Sequence, residues 1–244
     1  MIRNGARRRG GLRIAMLTAS VTVVAAAVGG RMLLHLLGRD HPARHESRVA
    51  EIERRQAGVD GPADVLLTGS SFFEKWTTSE RDLAPLKTTN IGIGGTKAGD
   101  HIAFFDRMVV PFAPRTLVVY IGSNDMSGLP LYSKSAEQTA ELVLRYISTA
   151  RERLPHTRIF YVAVTEAPAR ARVRDDIRSA NRILAGRALS GADFAFIDTA
   201  PALLREDGSI DETLFGPDRL HFNERGYARF SKAIRDGLST HGLL

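Results

Sequence analysis

Two adjacent serines, Ser70 and Ser71, follow Gly69 at the end of a short apolar run, Asp64 to Thr68, and precede residues that can begin a helix. A hydroxyl at a tight strand-to-helix turn is held at the end of a sheet, close to free backbone N–H groups, which is the setting a nucleophile needs. A hydroxyl also needs a base. His221 fits that role, because Asp218 lies three residues earlier in Gly216-Pro217-Asp218-Arg219-Leu220-His221 and can hold the imidazole tautomer and stabilise its protonated form. The other histidines lack this setting. His35, His41 and His45 lie in or near an apolar N-terminal stretch, and His156 and His241 sit in polar turns. His101 is the one competitor, but the Asp100 before it reads better as a helix cap. No His-Glu-x-x-His or comparable ligand spacing is present, so neither a metal nor a cofactor is expected.

Acyl transfer further requires donors aimed at a developing oxyanion. Asn90-Ile91-Gly92-Ile93-Gly94-Gly95-Thr96 offers glycine N–H groups that a ligand can approach, and Gly122-Ser123-Asn124-Asp125 offers a carboxamide. Each stretch alone reads equally as an ordinary turn, since glycines permit positive φ and Asn-Asp pairs bond their own backbone.

The elements that must position these groups follow from periodicity. Continuous apolar runs at 64–68, 88–92, 116–121, 158–164 and 194–198 read as buried strands, and helical patterns at 98–109, 135–153, 171–189 and 224–238 separate most of them. Such alternation predicts an α/β fold, a three-layer α/β/α sandwich around a five-stranded parallel sheet. Ligands of such sheets bind outside the carboxyl ends of the strands, where strand order reverses. With the order 2-1-3-4-5, the loops after strands one, two and three meet there.

Gly69-x-Ser71 with Trp76, Gly95 in Asn-Ile-Gly-Ile-Gly-Gly, Gly122-x-Asn124-Asp125 and Asp218-x-x-His221 occur in order over residues 60–240. Together they resemble the four blocks of the SGNH (GDSL-type) hydrolases, in the branch called lysophospholipase-like or platelet-activating-factor-acetylhydrolase-like. The resemblance implies a flavodoxin-like fold and a serine esterase. It implies Ser71 as nucleophile, His221 as base, Asp218 as its orienting carboxylate, and an oxyanion hole from the Ser71 N–H, Gly95 (with Gly94 as alternative) and Asn124. Ser70 stands where many relatives carry the aspartate of Gly-Asp-Ser.

Charge is uneven along the 244 residues. Residues 1–60 hold 11 arginines against 5 acidic residues, whereas 61–244 hold 23 basic against 22 acidic, so the folded part is nearly neutral and nucleic-acid binding is not expected. The absence of cysteine excludes a thiol nucleophile, disulfides and a lipidated cysteine. Five arginines precede the uncharged run Ile14–Gly30, and Met32–Leu37 follows Arg31. These 17 residues span roughly 25 Å, and the second run extends them to the ~30 Å of a bilayer core. Residues 1–38 are therefore expected to form a basic N-terminus and transmembrane helix, or a cleaved signal. Residues 39–62 should form a helical linker and 63–244 an exported hydrolase domain on the periplasmic or extracellular side. The expected partners are the membrane and a small-molecule or glycan ester carrying a short acyl group. The alternatives are an O-acyltransferase on envelope glycans and a non-catalytic anchored binding protein. Arg170, Arg172 and Arg174 after the fourth strand either recognise an anionic group or form a solvated helix start balanced by Asp175 and Asp176.

Overall fold

Every residue of the first and third strands is buried, because helices cover the sheet on both faces and no strand face is left to water. The computed structural model describes residues 42–58, 61–129, 132–191 and 193–244. The expected transmembrane helix lies outside the described residues, and among those described no helix is long and apolar enough to cross a membrane.

The chain runs through α1 (Glu46–Gln56), β1 (Val65–Gly69), α2 (Ser71–Glu74), α3 (Ser79–Asp82), β2 (Thr88–Asn90), α4 (Ala98–Ala103) and α5 (Phe105–Met108). It continues through β3 (Thr116–Tyr120), α6 (Ala136–Arg153), β4 (Arg158–Val162), α7 (Arg174–Ser190), β5 (Ala195–Ile197), α8 (Ala200–Leu203) and α9 (Glu224–Thr240). All strand pairs are parallel, in the order β2-β1-β3-β4-β5. Strand order reverses between β1 and β3, which brings their carboxyl ends together.

Two cores follow from the two-residue period of the strands. Leu66, Leu117, Val119, Ile159 and Tyr161 face a layer that includes α1, α5 and α6. Val65, Leu67, Val118, Tyr120, Phe160 and Val162 face α2 and α9. In α9 the buried Phe230, Ile234 and Leu238 recur every four residues and lie on one face of the helix.

Three differences from the sequence pattern have local causes. The helix expected over 98–109 breaks at Phe104 (φ −101°, ψ 8°), which re-aims the chain and buries adjacent Phe104 and Phe105 together. The second strand is regular only to Asn90, whose side chain accepts from the Gly92 N–H (3.0 Å) and donates to the Phe73 carbonyl (2.7 Å), while the Ile91 and Ile93 N–H groups still bond the carbonyls of Leu67 (2.9 Å) and Gly69 (2.8 Å). The helix expected from 171 begins as a 3-10 turn over Pro168–Val173, with Arg170 at φ −103° and ψ 18°.

Helix α1 packs on the domain. Val49 and Ile52 are buried in the first core, and Arg107 on α5 holds Glu53 with two bonds, 2.7 and 2.8 Å, and reaches Glu46 as well.

Candidate active site

Beyond Gly69 the Ser70 N–H still bonds the Tyr120 carbonyl (3.1 Å), extending the β1–β3 ladder by one step. The chain then turns at once into α2, where the Ser70 carbonyl accepts from the N–H groups of Phe73 (3.0 Å) and Glu74 (3.1 Å). Ser71 is the first residue of this helix, so its own N–H has no intrahelical acceptor. The turn requires Gly69, because a Cβ there would meet the Tyr120 carbonyl and the Phe73 ring. The two serines are thereby separated. Ser70 is fully buried with its hydroxyl 3.2 Å from that of Ser123, while Ser71 is half-buried at the surface.

The Ser71 Oγ lies 2.8 Å from Nε2 of His221, and Nδ1 of the same ring lies 2.7 Å from Oδ2 of Asp218. The other carboxylate oxygen accepts from the backbone N–H groups of Leu220 and His221, both at 3.0 Å. The bond from His221, joined by these two, holds the Asp218 carboxyl at about 2, below the ordinary aspartate value of 3.8, against the opposing effect of desolvation. An ionised carboxylate only accepts, so Nδ1 carries the ring proton and Nε2 presents a lone pair to the serine hydroxyl. The loop carrying Asp218 is closed by the Gly216 N–H on the His221 carbonyl (2.8 Å), and Asn223 then caps α9 by accepting from the Gly226 N–H (3.1 Å).

Aromatic packing joins the helix of Ser71 to the His221 ring. Phe72 stacks within 5.1 Å of both Tyr120 and Phe222 and 5.5 Å from the His221 ring.

Asn124 follows the turn at Gly122, where φ is +102° and glycine is favoured. Its Nδ2 donates to the Thr96 carbonyl (3.0 Å), and its Oδ1 accepts from the Arg170 guanidinium (3.3 Å). The adjacent Asp125 is fully buried and crosses to the neighbouring loop. It accepts from the Ala98 N–H at the start of α4 (2.9 Å) and from Lys134 Nζ (2.8 Å). Gly95 has φ +79°, is exposed, and has open space where a Cβ would stand, whereas the same position on Gly94 is taken by the Glu74 carboxylate.

The candidates thus separate. Ser71, Phe72, Ser123, Asn124, Val164 and Arg170 line one small depression. The roomier hollow between α9 and residues 75–82 has no histidine in its lining. His101 is buried between Thr96 (Nε2 to Oγ1, 2.9 Å) and Thr68 (Nδ1 to Oγ1, 3.4 Å), and desolvation lowers its pKa to about 3, leaving a neutral structural ring. Arg172 is exposed, and Arg174 turns to Glu166 (3.8 Å) rather than to Asp175 or Asp176. Arg170 alone of the three enters the depression. Its spacing from the other arginines gave no signal of this. Among the described residues no group of three or more His, Asp or Glu side chains could hold a metal ion.

A hydroxyl bonded to an imidazole whose far nitrogen faces a carboxylate, set beside unpaired N–H groups at the carboxyl ends of a parallel sheet, is the equipment of ester-hydrolysing enzymes. Residues 57–229 match the GDSL-like lipase/acylhydrolase family, and the chain belongs to it. Solved structures with the same fold include a Streptococcus pneumoniae protein named for platelet activating factor. It is 18% identical, with a TM-score of 0.70 over 87% of this chain and 99% of that one. An acetyl-xylooligosaccharide esterase from Geobacillus is 15% identical, with a TM-score of 0.59 over 73% and 95%. The C-terminal catalytic domain of the Streptococcus pneumoniae peptidoglycan O-acetyltransferase A is 16% identical, with a TM-score of 0.54 over 74% and 95%. No curated protein sequence matches the chain significantly.

Proposed function

We propose that this enzyme hydrolyses short acyl esters, acetyl esters foremost, by a two-step mechanism centred on Ser71. The observation that carries the reading is the continuous chain Asp218–His221–Ser71, with links of 2.7 and 2.8 Å, whose serine lines a small depression. His221 Nε2 takes the hydroxyl proton as Ser71 Oγ attacks the ester carbonyl. The oxyanion is held by the N–H groups of Ser71 and Gly95 and by Nδ2 of Asn124. The imidazolium gives its proton to the departing alcohol. It then takes a proton from the water that attacks the acyl-serine carbonyl and gives it to Ser71 Oγ as the Oγ–acyl bond breaks, which releases the acid and restores the serine.

The short-acyl assignment draws support from the small size of the depression at Ser71 and from the acetyl-xylooligosaccharide esterase among the structural neighbours. A p-nitrophenyl ester series tests it: turnover should fall from C2 onwards, and a preference for C10 or longer overturns it. The peptidoglycan O-acetyltransferase domain supports a second reading, in which a glycan hydroxyl replaces water in the second step. Transfer to a sugar acceptor in excess of hydrolysis would select that reading. Residues 1–38 we assign to a membrane anchor that keeps the catalytic domain outside the cytoplasmic membrane; release of the protein by an alkaline carbonate wash would overturn this.

A further inference from the structure

We propose that Arg170 is a positioning residue that fixes the carboxamide of Asn124 so that its amide nitrogen, and not its oxygen, faces the reacting carbonyl. This rests on the assignment of Asn124 to the oxyanion hole.

A primary amide has two ends of nearly equal shape and opposite hydrogen-bonding character, and rotating it by half a turn exchanges donor for acceptor. In an oxyanion hole that exchange turns stabilisation into repulsion. Here both ends are specified. Nδ2 meets the Thr96 carbonyl at 3.0 Å, and Oδ1 meets the Arg170 guanidinium at 3.3 Å. The flipped amide would set its oxygen against a carbonyl and its NH2 against a guanidinium. The carbonyl alone occupies one N–H of Nδ2, which leaves the second N–H for the substrate oxygen. A cation at Oδ1 also draws electron density from the amide and makes that second N–H a stronger donor.

Arg170 is built for this place. Its half-buried guanidinium pairs with no carboxylate among the described residues, unlike Arg174 and Arg178, which both engage Glu166. Burial lowers its pKa, the mark of a charge held out of water. The 3-10 turn that carries it is tied to the loop of the catalytic histidine, since the Ala169 N–H donates to the Arg219 carbonyl (2.9 Å). One short segment therefore touches both the loop of the base and the oxyanion donor.

The test is a double-mutant cycle on the full-length enzyme with p-nitrophenyl acetate, a neutral ester. Arg170→Met should lower kcat about 10- to 100-fold with KM changed less than about 2-fold, because a misdirected donor weakens only the transition state. Arg170→Lys should recover part of the loss. In the Asn124→Ala background, Arg170→Met should cost less than about 2-fold more, since the amide it orients is gone. A full, independent loss in that background overturns the proposal, as does an unchanged kcat. An effect confined to KM for acidic esters overturns it too, by making Arg170 a substrate-binding group. The rate at which a fluorophosphonate labels Ser71 in the same four proteins should follow the same pattern, because the phosphoryl oxygen also enters the oxyanion hole. Wild type that labels but does not hydrolyse acetate would refute the short-ester reading while leaving this comparison intact. Arg170→Lys keeps the charge and a donor, so that variant carries the test if the methionine variant does not fold.

Discussion

The phenol of Tyr227 donates to the backbone carbonyl of Phe72 at 3.0 Å, fastening the first turn of α9 to the residue beside Ser71. The helix that follows His221 is thereby bonded to the helix that carries Ser71, across 155 positions of sequence between Phe72 and Tyr227. Tyr227→Phe keeps the ring contact with Phe222 (5.4 Å) and removes only the hydroxyl. We expect a loss of about 1 kcal/mol in stability. A further few-fold fall in kcat is expected as the two elements loosen. Urea unfolding and p-nitrophenyl acetate kinetics on one preparation would separate the effects, and unchanged kcat would show that the aromatic cluster alone sets the site.

Ser71→Ala should leave the domain folded and remove hydrolysis together with fluorophosphonate labelling. Asn124→Ala should keep labelling competence but lower kcat by ~10²–10³, the usual cost of one oxyanion donor. Ser70→Ala should retain most activity, since its hydroxyl meets only Ser123. Full activity in Ser71→Ala would overturn the nucleophile assignment.

Acid should erode one defined contribution to stability. Asp218 has its carboxyl depressed to about 2 in the folded enzyme, chiefly by the bond from His221. A depressed carboxyl stabilises the fold fully above its unfolded value, ordinarily 3.8, and loses that contribution as pH falls through its folded value. The melting-temperature gap between wild type and Asp218→Asn should therefore be present at about pH 5 and close as pH falls below about 4. A gap that persists undiminished to about pH 2 would contradict the assignment.

Helix α1 should be held by burial more than by charge. Ile52 is 5% exposed, so Ile52→Ala should cost about 2–5 kcal/mol. Arg107 and its partners Glu46 and Glu53 have side chains 37–53% exposed, so water screens the pairs and Arg107→Ala should cost far less than Ile52→Ala. Denaturant midpoints would rank them, and the reverse order would mean that the ion pairs dock the helix.

The sheet was legible in the sequence because parallel strands buried on both faces are apolar or β-branched almost throughout, as Val65–Thr68 and Leu117–Tyr120 are. The motif blocks were legible because each is local: Gly69 lies two residues from Ser71, and Asp218 three from His221. Over residues 57–229 the chain does belong to the family that these blocks resemble. Other features depended on partners distant in the chain. Nothing near Phe104 announces the break that buries it with Phe105, and Val49 and Ile52 look like any amphipathic pair until the first core receives them. Arg170, Arg172 and Arg174 are alike in type and spacing, yet only Arg170 reaches Asn124, 46 residues away. The separation of Ser70 from Ser71 also rests on a tertiary contact, the hydroxyl of Ser123 at the end of the neighbouring strand. Local sequence determines backbone shape and burial pattern, because these depend on sterics and solvation within a few residues. Which polar groups meet is decided only when strand order and helix packing bring separate loops to one end of the sheet.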